Sequence, residues 1–172
     1  MKHLTLITGG AGSGKSRYAC QQANQCGSKV LFVATCVPQD DEMRTKVARH
    51  RDERPRTWCT TETARNVAQA LRPGFDTAIV DCLTLLVSQM LVEEAAESDI
   101  LAEVGRLCES ASYPIFVVTN EVGWGIVPEN ALARRFREIA GRANRLAAER
   151  ADEVVLMVSG IPLTLKGTAW KH

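Results

Sequence analysis

Gly9-Gly10-Ala11-Gly12-Ser13-Gly14-Lys15-Ser16, entered from the apolar run Leu4-Thr5-Leu6-Ile7, fits the pattern G-x-x-x-x-G-K-[ST]. The spacing has a physical meaning. A strand ends, a glycine-rich turn lets successive backbone N–H groups converge, and a helix begins at Lys15. Orphan N–H groups and the helix dipole at that terminus favour a phosphate. Lys15 is placed to reach the terminal phosphates, and the Ser16 hydroxyl to enter a Mg²⁺ shell. The strand before and the helix after distinguish this stretch from a glycine-rich turn that binds nothing.

The rest of the chain repeats the alternation of strand and helix. Residues 3–8 read as the first strand and Lys15 to about Cys26 as the helix after it. Val30–Ala34, Thr77–Asp81, Ile115–Thr119 and Val154–Val158 are continuous apolar runs, as expected of parallel strands buried on both faces. Pro38 and Asp40 end the second strand's loop. Asp40 or Asp41 can cap a helix to about Asp52, which Pro55 stops. Thr57–Thr60 reads as a short strand and residues 62–72 as a helix ended by Pro73-Gly74. Residues 83–96 and 99–111 read as helices parted near Ser98. Asn120 to Glu129 is a loop. Residues 130–150 form a long amphipathic helix with Leu132, Phe136, Ile139, Ala143 and Leu146 on one face. A short extended tail runs from Gly160 through Leu165. The expected architecture is one α/β domain over residues 1–172, a mostly parallel sheet with helices on both faces and ligands at the carboxyl ends of its strands.

Bulk properties narrow the function. The 172 residues carry a net charge of +1, so nothing global points to nucleic acid or an anionic membrane. No apolar run approaches the roughly 18 residues of a membrane span, and the N-terminus enters a strand with no signal-peptide pattern. Cys20, Cys26, Cys36, Cys59, Cys82 and Cys108 show no C-x-x-C spacing, which disfavours zinc and suits a reducing cytoplasm.

Two further positions carry chemistry. Asp81 ends an apolar strand, where P-loop enzymes place a carboxylate near Mg²⁺; a helix cap is the other use of an Asp there, because Cys82-Leu83-Thr84 opens a helix. Arg44, Lys46, Arg49, Arg51, Arg54 and Arg56 surround His50, one of three histidines. Met43, Val47 and His50 fall on one helical stripe, which turns His50 inward. One reading is a half-buried histidine bonded to backbone. The other is a nucleophile, since flanking cations disfavour the imidazolium and neutral imidazole attacks phosphorus. Asn120 to Pro128 lies at the carboxyl end of a strand, where sites are built. The guanine-reading N/T-K-x-D of switch GTPases is absent from the sequence.

Taken together, these residues resemble the bifunctional adenosylcobinamide kinase / adenosylcobinamide-phosphate guanylyltransferase family of cobalamin biosynthesis. The likeness runs through Thr8–Ala11, Lys15–Ala19, Val33-Ala34-Thr35, Asp41-Glu42-Met43, His50-Arg51-Asp52, Arg54-Pro55, Trp58, Thr61 and Glu62. Its most specific part is Val118-Thr119-Asn120-Glu121-Val122-Gly123-Trp124-Gly125-Ile126-Val127-Pro128-Glu129, then Leu132-Ala133-Arg134 and Phe136-Arg137; Ser159–Pro162 and Lys166 close it. The resemblance implies a RecA-like P-loop fold and a two-step enzyme. The aminopropanol hydroxyl of adenosylcobinamide is phosphorylated from a nucleoside triphosphate. A histidine then takes GMP from GTP, and adenosylcobinamide phosphate receives it as adenosylcobinamide-GDP. ATP and GTP are the implied substrates, with Mg²⁺.

Carried over, His50 is the nucleophile and Gly9, Gly10, Ala11, Gly12, Ser13, Gly14, Lys15 and Ser16 hold phosphates. Ala34, Thr35, Cys36, Arg51, Asp52, Glu53, Arg54, Glu62 and Asp81 match guanine-nucleotide contacts. A homotrimer is implied as well. The sequence departs from the family's usual residues at Gly12 (Arg), Cys36 (Ser), Arg49 (His) and Asp81 (Glu), and in the Arg51–Arg54 stretch. The alternatives are a monofunctional P-loop kinase with a structural His50, and a nucleotide-dependent switch without catalysis.

Overall fold

The structure is a computed structural model that describes residues 2–36, 41, 55–110 and 112–167. Its centre is a seven-stranded sheet of β1 (His3–Gly9), β2 (Val30–Ala34), β3 (Cys59–Glu62), β4 (Thr77–Asp81), β5 (Pro114–Val118), β6 (Glu153–Val158) and β7 (Ile161–Lys166). The strand order is β3-β2-β4-β5-β1-β6-β7. Every neighbouring pair is parallel except β6 with β7. The helices are α1 (Lys15–Cys26), α2 (Val67–Ala70), α3 (Leu83–Val92), α4 (Glu97–Glu109) and α5 (Ala131–Arg150). This is the doubly covered α/β sheet that the apolar runs imply.

Alternate residues of the central strands serve opposite faces. Leu4, Leu6, Leu31, Val33, Ala78, Val80, Ile115 and Val117 pack with Leu83, Leu86, Ile100, Val104, Ile139 and Ala143 of α3, α4 and α5. Ile7, Phe32, Ile79, Phe116, Val118 and Val155 pack with Ala19 and Ala23 of α1 and with Trp58. Small alanines let α1 lie close to the sheet, which brings its N-terminus over the ends of β1 and β6.

Several boundaries differ from expectation for identifiable reasons. β3 is Cys59–Glu62 rather than 57–60, because its register follows β2, with Leu31 opposite Cys59 and Ala34 opposite Glu62. The next residue continues that ladder: the Thr63 amide donates to Ala34 O at 2.9 Å. The expected helix over 62–72 therefore shrinks to Val67–Ala70, preceded by Asn66 at φ 51°. Buried Glu103 accepts from the Val67 amide at 2.7 Å and closes the end of this short turn.

α3 stops at Val92 instead of 96. Glu94 turns left-handed at φ 61°, with the Glu94 amide bonded to Leu91 O and the Ala95 amide to Met90 O. That is a Schellman stop made without its usual glycine. Ser98 accordingly lies inside α4. α3 is apolar on more than one side: Leu83, Leu86, Val87 and Leu91 are buried, Leu85 packs on the α1-side core, and Val92 at its end is exposed.

Leu132, expected on the buried stripe of α5, is 50% exposed, because the helix meets the core only from Phe136 onward. The tail after Gly160 is a true antiparallel edge strand, all of it exposed.

Candidate functional site

The glycine-rich turn has the backbone its sequence demands. Gly9, Gly12 and Gly14 adopt φ of 149°, 69° and 93°, conformations that side chains resist. Gly14 is the residue before α1, and the Tyr18 amide donates to its carbonyl at 2.9 Å. The far side of the sheet steadies the loop. The Gly160 amide, in the turn between β6 and β7, donates to Ser13 O at 3.0 Å.

Lys15 is buried at 6% exposure, and its ammonium donates to Gly10 O and, at 3.4 Å, to Ser13 Oγ. Burial pushes it below the ordinary lysine value, while the carboxylates of Asp81 and Glu121 pull it part of the way back. A desolvated cation at a helix N-terminus is a site prepared for an anion. Ser16, half-buried in the first turn of α1, stands next in line.

Strand register assembles the opposite wall. Glu62, Ala34, Asp81, Val118 and Ile7 form one row across β3, β2, β4, β5 and β1. Asp81 is therefore at the carboxyl edge, two strands from the P-loop strand. The helix that follows takes Cys82, not Asp81, as its N-cap residue, in extended conformation. Thr35, fully buried, ties the two strand ends together. Its hydroxyl donates to Cys82 O at 2.6 Å and accepts from the Cys82 amide at 2.7 Å. Burial and the neighbouring Asp81 push the Cys82 thiol up to about 12.

Ala34, Thr35 and Cys36 thus reach the same edge as the phosphate loop. Glu62, the register partner of Ala34, stands far from the phosphate loop itself. It is exposed on β3, four strands from β1, which at ~4.8 Å per strand is about 19 Å away. His50, Arg51, Asp52, Glu53 and Arg54 lie outside the described residues.

The loop after β5 supplies what the sequence reading left without a role. The Glu121 amide donates to Gly9 O at 3.0 Å, and its Oε1 accepts from Thr8 Oγ1 at 2.6 Å and from Asn144 Nδ2 at 3.3 Å. Asn144 also donates to Asn120 O at 3.1 Å and accepts from Thr119 Oγ1 at 2.7 Å. Thr84 accepts from the Asn120 amide at 2.7 Å. A half-buried polar net therefore welds the ends of β1 and β5 to α3 and α5. Asn144 had one sequence signal: it is an amide within the stripe of Ala140, Ala143 and Ala147, all buried. Beyond Glu121 the loop is clasped to α5, with Arg137 donating to Gly123 O, and Arg134 to Pro128 O at 3.0 Å and to Glu129 O. Trp124 remains 75% exposed.

Sequence similarity decides the family. The family model described as "Cobinamide kinase / cobinamide phosphate guanyltransferase" matches residues 5–165. The chain belongs to that family. A relative from Salmonella typhimurium, the bifunctional adenosylcobalamin biosynthesis protein CobU, is 40% identical over 182 residues, covering 95% of this chain and 99% of the relative. CobU of Escherichia coli is 38% identical over 181 residues with the same coverage. The bifunctional adenosylcobalamin biosynthesis protein CobP of Pseudomonas aeruginosa is 38% identical over 175 residues, covering 94% and 96%.

Among solved structures, a KaiC-like protein from Pyrococcus horikoshii superposes with a TM-score of 0.55 at 14% identity, covering 99% of this chain and 82% of the other. The RadB recombinase superposes at 0.50 with 17% identity, covering 90% and 73%. At such identity the likeness concerns the fold alone, which is the RecA-like P-loop fold.

Proposed function

We propose that the chain phosphorylates adenosylcobinamide from a nucleoside triphosphate and then moves GMP from GTP, through His50, onto the adenosylcobinamide phosphate formed. Membership of the cobinamide kinase / cobinamide phosphate guanyltransferase family supports the two reactions. The observation that carries the phosphoryl-transfer half is the buried Lys15 in the glycine-rich turn, within electrostatic reach of Asp81.

In that step Gly9 to Ser16 seat the phosphates, and Lys15 balances the charge that develops on the transferred group. The hard oxygens of Ser16 and Asp81 suit Mg²⁺, which when bound neutralises the phosphate oxygens. ATP and GTP are the proposed substrates. Ala34, Thr35 and Cys36 border the same edge, with Glu62 and Arg51 to Arg54 as further nucleotide contacts. The whole chain acts as one domain, in the cytoplasm and as a homotrimer. Light scattering at micromolar concentration is expected to return the trimer mass, and a monomer mass would refute that assembly.

For the second reaction, the His50 imidazole attacks the α-phosphorus of GTP and pyrophosphate leaves. The phosphate of adenosylcobinamide phosphate then displaces the histidine. Incubation with α-labelled GTP is expected to leave one GMP per chain after denaturation, stable to alkali and lost in mild acid, as a phosphorus–nitrogen bond requires. His50→Ala should abolish the label. A folded His50→Ala protein that still takes up GMP would end the proposal for this residue.

A further inference from the structure

Phosphorylating an alcohol releases a proton, and the reading of His50 leaves that proton without an acceptor. Among the described residues three carboxylates stand at the carboxyl ends of β3, β4 and β5: Glu62, Asp81 and Glu121. Glu62 is about 19 Å from the P-loop strand, and Asp81 lies on the Mg²⁺ side. Glu121 alone is joined to the P-loop strand itself, through its amide to Gly9 O at 3.0 Å. Its carboxylate is held rather than loose. Thr8 Oγ1 donates to Oε1 at 2.6 Å, and Asn144 Nδ2 donates to the same oxygen at 3.3 Å. Those two bonds set the plane of the carboxylate, and among the described residues Oε2 accepts no hydrogen bond. The charge of Glu121 is also felt by Lys15, the cation of the phosphate cradle.

We propose that Glu121 is the catalytic base of the phosphoryl-transfer step, with Thr8 and Asn144 as positioning residues. The inference rests on the kinase reading above. The substrate hydroxyl approaches Oε2, and its O–H bond breaks as the new oxygen–phosphorus bond forms. The proton passes to Glu121, and the bond from the γ-phosphorus to the bridging oxygen breaks, its electron pair leaving with the nucleoside diphosphate. Glu121 then returns the proton to solvent. Gly9 opens the phosphate loop, and the main-chain amide of Glu121 is bonded to Gly9 O. The base and the phosphate loop are thus anchored to the same strand end, which favours a fixed geometry between them.

A carboxylate that only accepts hydrogen bonds from Thr8 and Asn144 makes a different prediction from one that takes a proton. Glu121→Gln preserves length and keeps an acceptor oxygen for both donors, but loses the basic group. Glu121→Asp keeps the base and withdraws it by one methylene. Each variant is to be assayed for phosphorylation of adenosylcobinamide, with thermal melting and ADP affinity measured alongside. Catalysis by a base predicts that Glu121→Gln lowers kcat by 10²–10⁴-fold with little change in KM or ADP affinity. Glu121→Asp should then be the more active of the two. A structural acceptor predicts the reverse order, with Glu121→Gln near wild type and Glu121→Asp impaired, and that result would overturn the proposal. Loss of ADP affinity in proportion to activity in Glu121→Gln would also overturn it, because Glu121 would then act only through Lys15. Failure of the wild-type chain to phosphorylate adenosylcobinamide is a separate outcome; it removes the kinase reading, and the base with it.

Discussion

Gly9→Ala tests whether the phosphate cradle is built on contacts that only glycine permits. A Cβ at this position would stand 2.5 Å from Met157 O and 2.9 Å from Ser13 Oγ. The serine can rotate, but the carbonyl is main chain of β6, locked in the parallel ladder that pairs Gly9 with Met157. The backbone at φ 149° adds its own cost for an L side chain. Strain of about 1–3 kcal/mol for the dihedral and about 1–3 kcal/mol for the overpacking place the loss near 4 kcal/mol.

For a domain of this size each kcal/mol moves Tm by about 2–4 °C, so Tm should fall by about 8–16 °C. Gly10→Ala is the control. A methyl group added at Gly10 would meet no heavy atom within 4 Å, and its φ is not positive, so that variant should melt within about 2 °C of wild type. Calorimetric melting of the three proteins decides the matter, and nucleotide affinity should fall in Gly9→Ala because the displaced strand carries the loop with it. A Gly9→Ala protein that melts with wild type would refute the claim that β6 and the loop are in obligatory contact.

Two further predictions concern charge and protonation. Lys15→Ala should fold with little change in melting temperature, since it removes a cation that burial already disfavours, yet lose about 10²–10³-fold in phosphoryl-transfer kcat; wild-type turnover would remove the P-loop from the mechanism. The Cys82 thiol is raised from 9.0 to about 12 by burial and by Asp81, so between these pH values the folded chain holds a proton that the unfolded chain has lost. Stability should therefore be intact below pH 9 and decline as pH rises toward 12. In denaturant titrations Cys82→Ala should show a shallower decline, with a remainder from Cys108, which burial raises to about 11. An identical slope in wild type and variant would contradict the assignment.

How much was legible in advance depends on the range of the interaction. The P-loop and its flanks could be read because a glycine at φ above zero, a buried strand and a capped helix are local requirements written in adjacent residues. The alternation of apolar runs with helical stripes likewise determined a parallel sheet covered on both faces. Edges were less legible. β3 slid by two residues because its partner β2 chose the register, and α3 ended at a left-handed Glu94, where composition offers no glycine to announce the stop.

The candidate base shows the limit most clearly. Its loop was singled out in the sequence, but nothing in residues 118–129 says that Glu121 meets Thr8, 113 positions earlier, or that Asn144 on a distant helix holds it. Sequence by itself determined the phosphate loop, the strand–helix alternation and the family, because each is carried by neighbouring residues. Which strands became neighbours, and hence which carboxylate stands beside Gly9, was decided only in the tertiary structure. Strand order is set by burying two helical layers at once, a condition that no local stretch can express.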